Sequence, residues 1–127
     1  MMQKKDLEYF KYGKIENAKF WKRLGGKPYF ENRKILDFGC GHGSLCIDIA
    51  NSGAESITGI DIGETIDFAK ENLLNNFNRL KKKVIFKKKD LLKDHFDEEF
   101  DLIVSKDTFE HTINLDKVLE KFYKLLK

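Results

Sequence analysis

The sequence lacks the features of secreted, disulfide-bonded and membrane-spanning proteins. Its two cysteines, Cys40 and Cys46, are too few and too close together for a disulfide framework, so we expect reduced thiols. No apolar run approaches the roughly 20 residues that a transmembrane helix needs, and no apolar signal segment follows the first residues. These absences predict a cytoplasmic protein with no membrane association.

Proline is almost absent, with one residue in 127, and no linker or low-complexity segment interrupts the chain. A hydrophobic fraction of 41% and eleven phenylalanines supply enough apolar surface for one core. Since single domains commonly run to about 100–150 residues, we expect one domain over residues 1–127. The net charge is only +3, but residues 1–33 hold nine Lys/Arg against four Asp/Glu. That segment either meets an anionic partner or is simply a solubilising surface.

Apolar spacing predicts alternating strands and helices. The first apolar residues of the chain recur at helical spacing, with an interruption near Gly13 and an end at Gly25. This pattern predicts one broken helix or two short ones. Compact apolar runs predict four strands, at residues 34–38, 56–61, 83–88 and 100–105. Amphipathic stripes predict three further helices, at residues 44–52, 64–80 and 118–126. This order requires crossover connections and predicts an α/β, three-layer sandwich with a mostly parallel sheet.

The first strand runs directly into three alternate glycines, Gly39, Gly41 and Gly43, which open a helix. Glycines let backbone N–H groups approach a ligand closely, and a helix N-terminus favours negative charge. A dinucleotide fingerprint would place its third glycine one position later. Asp37, just before the loop, would repel a pyrophosphate but can accept a hydrogen bond from an ammonium group. The loop therefore predicts a ligand that carries an amine.

Two further carboxylates follow the second and third strands. Asp61 comes about twenty residues after the loop, where a carboxylate can accept from both hydroxyls of a ribose. Asp90 can accept from the exocyclic amine of an adenine, with Ile62 and Leu91 on either side of the ring. A solvated strand-end carboxylate is the alternative for each. Acidic residues at three successive strand ends are more specific than any one of them.

Together these segments resemble the first motifs of the class I, Rossmann-like S-adenosylmethionine-dependent methyltransferases, from about residue 34 to residue 127. The resemblance implies S-adenosylmethionine as cofactor, S-adenosylhomocysteine as product, a strand order of 3-2-1-4, and residues 1–33 as a helical cap on the core at 34–127. It also implies a set of cofactor-binding residues: Asp37, Gly39, Cys40, Gly41 and Gly43 at the methionine end, Asp61 and Ile62 at the ribose and ring, Asp90 and Leu91 at the adenine, and Ser105 and Lys106 against the methionine portion.

The segment after the fourth strand is similar to the family's fourth-strand motif, whose tip lies beside the transferred methyl group. By that resemblance, Asp107, Glu110 and His111 are the nearest candidates for acid–base work or metal binding. Methyl transfer from a sulfonium needs little beyond alignment and a deprotonated nucleophile. His111 can equally serve only to hydrogen-bond its turn.

Other functions remain open at this point. Two lysine triplets, at residues 81–83 and 87–89, allow a nucleic-acid methyltransferase, although lysines near an edge strand also discourage aggregation. The same architecture also hosts oxidoreductases and binding modules without turnover. The spacing of Cys40, His42 and Cys46 matches no usual zinc site, so we expect no metal. We favour a methyltransferase that acts on a small molecule.

The resemblance also implies that the fold is incomplete. In the family, the helix near residue 125 leads into a glycine-rich turn, a fifth strand and a hairpin, so we expect a chain truncated after the helix that follows the fourth strand. The apolar edge formed by Leu102, Ile103 and Val104 would then be open to self-association.

Overall fold

The computed structural model of the chain describes residues 3–106 and 114–127. Its strands are β1 (Lys34–Phe38), β2 (Ser56–Asp61), β3 (Val84–Lys88) and β4 (Leu102–Val104). Its α-helices are α1 (Lys4–Arg23), α2 (Ser44–Asn51), α3 (Thr65–Asn76) and α4 (Leu115–Leu125), and a 3-10 turn follows α3 at Asn78–Leu80. Among these described residues, no helix has the length and hydrophobicity needed to cross a bilayer.

The four strands form one sheet in the order β3-β2-β1-β4, and every pairing is parallel. The register places Ile35 of β1 beside Ile57 of β2 on one side and beside Leu102 of β4 on the other. Because the strands are parallel, their carboxyl ends lie at one edge of the sheet, where ligands bind in folds of this type. The predicted strand order and α/β class are confirmed.

Each face of the sheet carries its own apolar cluster. Ile35 and Ile57 belong to the larger cluster, which also holds buried residues of α1, α2 and α3. Leu36 and Ile60 point to the opposite face, where they join buried residues of α4. Successive residues of a strand point to opposite faces, so near-continuous apolar strands are what two covered faces require. The result is the three-layer sandwich that the sequence predicts.

The prediction of a broken first helix is wrong, because α1 runs without interruption through Gly13. A Cβ atom at this position would collide with the side chain of Ser44 at the start of α2. Glycine therefore stands here because α1 and α2 approach each other closely, not because the helix ends.

Two other elements are shorter than the sequence predicts. The helix expected over residues 64–80 ends at Asn76, because Phe77 leaves the helical region with φ −136° and ψ 34° and its ring lies 5.6 Å from that of Phe10 on α1. The strand expected over residues 100–105 is reduced to β4. Phe100 forms instead an isolated parallel bridge with Leu126, just after α4.

Candidate functional site

The glycine loop is attached to the end of the neighbouring strand. The backbone N–H groups of Gly39 and Cys40 both donate to the carbonyl oxygen of Ile60, at 2.9 and 3.0 Å. This arrangement turns the chain sharply from the end of β1 over the end of β2. The loop therefore lies directly above the carboxyl edge of the sheet, and α2 begins from it.

Two of the loop glycines have different roles. A Cβ atom at Gly43 would lie 2.6 Å from Cζ of Phe86, so this glycine, with φ +90°, allows α2 to pack tightly against β3. A Cβ atom at Gly41, with φ +53°, would have no heavy atom within 4 Å. Gly41 therefore faces open space above the sheet, whereas Gly43 is a packing residue.

Asp37 is a buried carboxylate with one oxygen unengaged. Only 1% of the residue is exposed, and Oδ2 accepts a hydrogen bond from Sγ of Cys46 at 3.3 Å. Oδ1 accepts no hydrogen bond from the described residues. Burial raises the pKa of Asp37 to about 7, with the nearby charge of Asp61 adding to the shift. A cation placed at Oδ1 would stabilise the ionised form.

Asp61 holds the end of β2 to the glycine loop. Its Oδ2 accepts from the N–H of Gly41 and its Oδ1 from the N–H of Gly63, both at 2.9 Å. Each carboxylate oxygen keeps a second lone pair for a ligand hydroxyl. The next residue, Ile62, is 69% exposed, which places an apolar side chain in solvent beside the site.

Asp90 and Leu91 stand after β3 in a tight turn. Oδ1 of Asp90 accepts from the N–H groups of Leu92 and Lys93, at 2.9 and 3.1 Å, so part of this carboxylate stabilises its own turn. Leu91 is only 3% exposed and packs in the cluster on the α4 face. A contact from Leu91 to an adenine would therefore use its backbone rather than its side chain.

Ser105 and Lys106 join the tip of β4 to β1 and to α1. Oγ of Ser105 donates to the carbonyl oxygen of Phe38 at 3.0 Å, which ties the ends of β4 and β1 together. Nζ of Lys106 donates to Oδ1 of Asn17 at 3.2 Å, and Asn17 lies on α1 with 3% exposure. This bond joins the first helix to the carboxyl edge of the sheet. The predicted acid–base residues Asp107, Glu110 and His111 lie outside the described residues, and their roles stay predictions.

Sequence reasoning missed the contacts that fasten α1 to the site. Nε2 of His42, in the glycine loop, lies 3.1 Å from Oδ1 of Asp6, and the His42 ring stacks on Tyr9 at a centroid distance of 5.5 Å. Asp6 and Tyr9 lie too far from His42 in the sequence for the spacing of residues to predict these contacts. Since His42 turns to α1 while the Cys46 thiol turns to Asp37, these two potential zinc ligands do not converge.

The two lysine triplets do not form one basic surface at the site. Nζ of Lys87 pairs with Glu98 at 2.8 Å. Nζ of Lys89 donates to the carbonyl oxygen of His95 at 2.7 Å and lies 4.4 Å from the centre of the Phe96 ring. Residues 81–83 are exposed at the amino end of β3, which is the opposite end from the site.

A cavity of about 330 Å³ lies between α1 and α2. One wall is closed by a hydrogen bond of 2.6 Å from Nε1 of Trp21 to Oδ2 of Asp48. Nζ of Lys27 also contacts Asp48, at 3.1 Å. The lining residues are Lys14, Asn17, Ala18, Trp21, Lys27, Ser44, Ile47, Asp48 and Asn51.

Residues 30–127 match a family model described as a methyltransferase domain. The chain belongs to this methyltransferase family. Its fold is that of the class I, Rossmann-like type, and the family predicted from the motifs is confirmed.

Named relatives of this methyltransferase domain differ in what they methylate. It is 36% identical over 123 residues to a phosphoethanolamine N-methyltransferase of Plasmodium falciparum, an alignment that covers 94% of this chain and 44% of the relative. It is 34% identical over 122 residues to a ubiquinone biosynthesis O-methyltransferase of Pelagibacter ubique, with 95% and 48% covered. The domain therefore spans less than half the length of these two curated relatives.

Among solved structures, an S-adenosylmethionine-dependent methyltransferase from Mesorhizobium loti matches with a TM-score of 0.68 and 22% identity. The match covers 80% of this chain and 45% of that one. At this level of identity the likeness shows the fold alone.

Proposed function

We propose that this chain binds S-adenosylmethionine at the carboxyl edge of its sheet and belongs to an enzyme that methylates a small molecule. The observation that carries the proposal is the position of Asp37, a buried carboxylate with an unbonded oxygen beneath an open glycine loop. An isolated charge in such a place is unfavourable unless a cation pairs with it. The ammonium group of the cofactor's methionine end is a cation of suitable size.

The other end of the site fits a nucleoside. Asp61 keeps lone pairs for both ribose hydroxyls, while Gly41 and Gly63 hold its carboxylate in place. Exposed Ile62 offers an apolar surface to one face of the adenine. The described residues donate their hydrogen bonds to Oδ1 of Asp90, so Oδ2 is left to accept one from the exocyclic amine of the adenine. These features support the cofactor contacts that the motifs predict.

When bound, the cofactor supplies an electrophilic methyl group on a sulfonium. An oxygen, nitrogen or carbon of the acceptor would take up that methyl group, and S-adenosylhomocysteine would be the second product. We assign Asp107, Glu110 and His111 the removal of the acceptor proton, and residues 1–33 the role of a cap. Contacts from α1 to His42 and Lys106 support a cap that closes against the glycine loop and the tip of β4.

A small acceptor is favoured over nucleic acid. Two relatives are named for small-molecule acceptors. Lys87 and Lys89 contact neighbouring side-chain and backbone oxygens, which does not favour a phosphate-binding surface at the site. We also propose a cytoplasmic location, because Cys40 and Cys46 are both free and buried.

The first test is calorimetric titration of the chain with S-adenosylhomocysteine. We expect binding, with no binding of NAD. Asp61→Ala should weaken the affinity by about tenfold or more, because it removes charge-assisted hydrogen bonds to the ribose. Asp116→Ala, which changes an exposed carboxylate on α4, is the matched control and should bind normally. Binding of NAD in place of S-adenosylhomocysteine would overturn the assignment in favour of an oxidoreductase.

A second test concerns the acceptor. The chain and its cofactor are incubated with small amines, phenols and carboxylic acids, and in parallel with RNA, and transferred methyl groups are counted. We expect transfer only to a small molecule. Transfer to RNA would establish the nucleic-acid alternative, and tight cofactor binding with no transfer to any acceptor would indicate a binding module.

A further inference from the structure

A buried thiol stands directly behind the carboxylate of the proposed cofactor site. Cys46, on α2, is 0% exposed, and its Sγ lies 3.3 Å from Oδ2 of Asp37 on β1. Nothing in the methyl-transfer chemistry requires a cysteine at this place. The thiol nevertheless makes the one hydrogen bond that Asp37 receives from a described side chain.

The neighbouring strand, β2, has a glycine at the point where this sulfur approaches it. A Cβ atom at Gly59 of β2 would lie 2.8 Å from Sγ of Cys46 and 3.0 Å from Sγ of Cys40. A glycine inside a strand is unfavourable and usually marks the close approach of another group. Here the approaching groups are the two cysteine sulfurs. The position of the thiol is therefore built jointly by α2, the glycine loop and β2.

We propose that Cys46 is a positioning residue for cofactor binding, whose thiol holds Oδ2 of Asp37 and leaves Oδ1 to face the ammonium group of the ligand. The proposal rests on the proposed function for the identity of that ligand. Without the thiol, the carboxylate would lose the contact that fixes its rotation and favours its ionised form.

The charges around Asp37 are consistent with this role. Asp61 on β2 opposes its ionisation, Lys106 after β4 favours it, and the hydrogen bond from Cys46 on α2 also lowers its pKa against the larger effect of burial. Burial raises the pKa of the Cys46 thiol well above its ordinary value. Cys46 therefore remains protonated, and so remains a donor, throughout the range in which Asp37 titrates.

The test compares three variants by calorimetry with S-adenosylhomocysteine between pH 6 and pH 9. Cys46→Ala should weaken binding by about fivefold at pH 7, the size expected for one weak hydrogen bond to a charged group. In this variant, the fall in affinity on the acidic side should begin at a higher pH than in the wild type. Cys46→Ser, which keeps a donor, should retain the wild-type profile. Ile49→Val removes a comparable volume from the buried face of α2 without touching a carboxylate, and should also retain it.

Equal loss in all three variants, or an unchanged profile in Cys46→Ala, would overturn the proposal. A measurement on the ligand-free chain distinguishes failure of this proposal from failure of the proposed function. The carboxyl carbon of Asp37, followed by NMR in the free chain, should titrate at higher pH in Cys46→Ala than in wild type. If that shift occurs while no variant binds S-adenosylhomocysteine, the coupling between Cys46 and Asp37 stands and the cofactor assignment fails. If the titration is unchanged, the coupling itself is refuted.

Discussion

At Asp37 the requirements of folding and of the proposed cofactor binding are opposed. The carboxylate is 1% exposed, and burial is the main reason that its pKa rises from 3.8 to about 7. An unpaired buried charge destabilises the folded chain. The same charge, held with Oδ1 unbonded, is what an ammonium ligand requires.

We therefore predict that Asp37→Asn stabilises the chain at alkaline pH and abolishes binding of S-adenosylhomocysteine. Below pH 3.8 the carboxyl is neutral in both the folded and the unfolded state. Between that value and about 7 the folded chain keeps a proton that the unfolded chain has released, so the free energy of unfolding falls as the pH rises. Asparagine removes this loss, which for a pKa shift of this size is roughly 4 kcal/mol at pH 8.

Urea unfolding at pH 5 and pH 8 measures this effect. The variant should gain stability mainly at pH 8, and Asp116→Asn, on an exposed position of α4, should gain none at either pH. A uniform gain at both pH values would mean that the ionisation of Asp37 is not its source.

Among the elements, α1 connects the N-terminal segment to the site. It contacts the glycine loop through Asp6 and His42, the tip of β4 through Asn17 and Lys106, and α2 at the close approach beside Gly13. All three contacts depend on the distance between α1 and the elements that it packs against. A change in that distance would alter all of them together.

Gly13→Ala tests this dependence. Replacing a glycine within a helix by alanine usually stabilises it by about 1 kcal/mol. We expect the opposite sign here, a loss of about 1 kcal/mol in the free energy of unfolding, because the new methyl group would meet the side chain of Ser44. A double-mutant cycle with Ser44→Ala should recover part of the loss. A gain in stability from Gly13→Ala alone would show that α1 and α2 are not in close contact at this position.

At the scale of the whole molecule, the edge of the sheet formed by β4 is largely unpaired in the described part of the chain. Within residues 3–106 and 114–127, β4 pairs with β1 on one side, and its segment meets a backbone on the other side only at the Phe100–Leu126 bridge. The adjacent α4 also exposes three apolar side chains, at 46%, 50% and 83%: Leu115, Leu119 and Tyr123. An unpaired strand edge beside an apolar helix face favours association with another chain.

We predict that this 127-residue chain self-associates through β4 as its concentration rises. Sedimentation velocity should show a concentration-dependent dimer or larger species, and amide exchange of Ile103 should slow in the concentrated sample. Ile103→Lys should shift the equilibrium to monomer, because a charge blocks edge pairing while the long side chain can still reach solvent. A chain that is monomeric at all concentrations, with rapid exchange at β4, would contradict the prediction.

Much of the architecture was predictable because its signals are local. The boundaries of β1 and β2 match the apolar runs, and the strand order follows from the family motifs. The errors occur where tertiary contacts override local preference. Gly13 does not break α1, because close helix packing requires it, and Phe77 ends α3 early as its ring packs on Phe10.

By itself the sequence determined the order of strands and helices and the positions of Asp37, Asp61 and Asp90 at successive strand ends, since periodicity and chain order are local properties. Only the tertiary structure decided which side chains meet. Cys46 contacts Asp37 from nine residues away, and Lys106 contacts Asn17 across 89 residues. Such contacts arise when layers pack against each other, because packing brings together groups whose separation along the chain carries no signal.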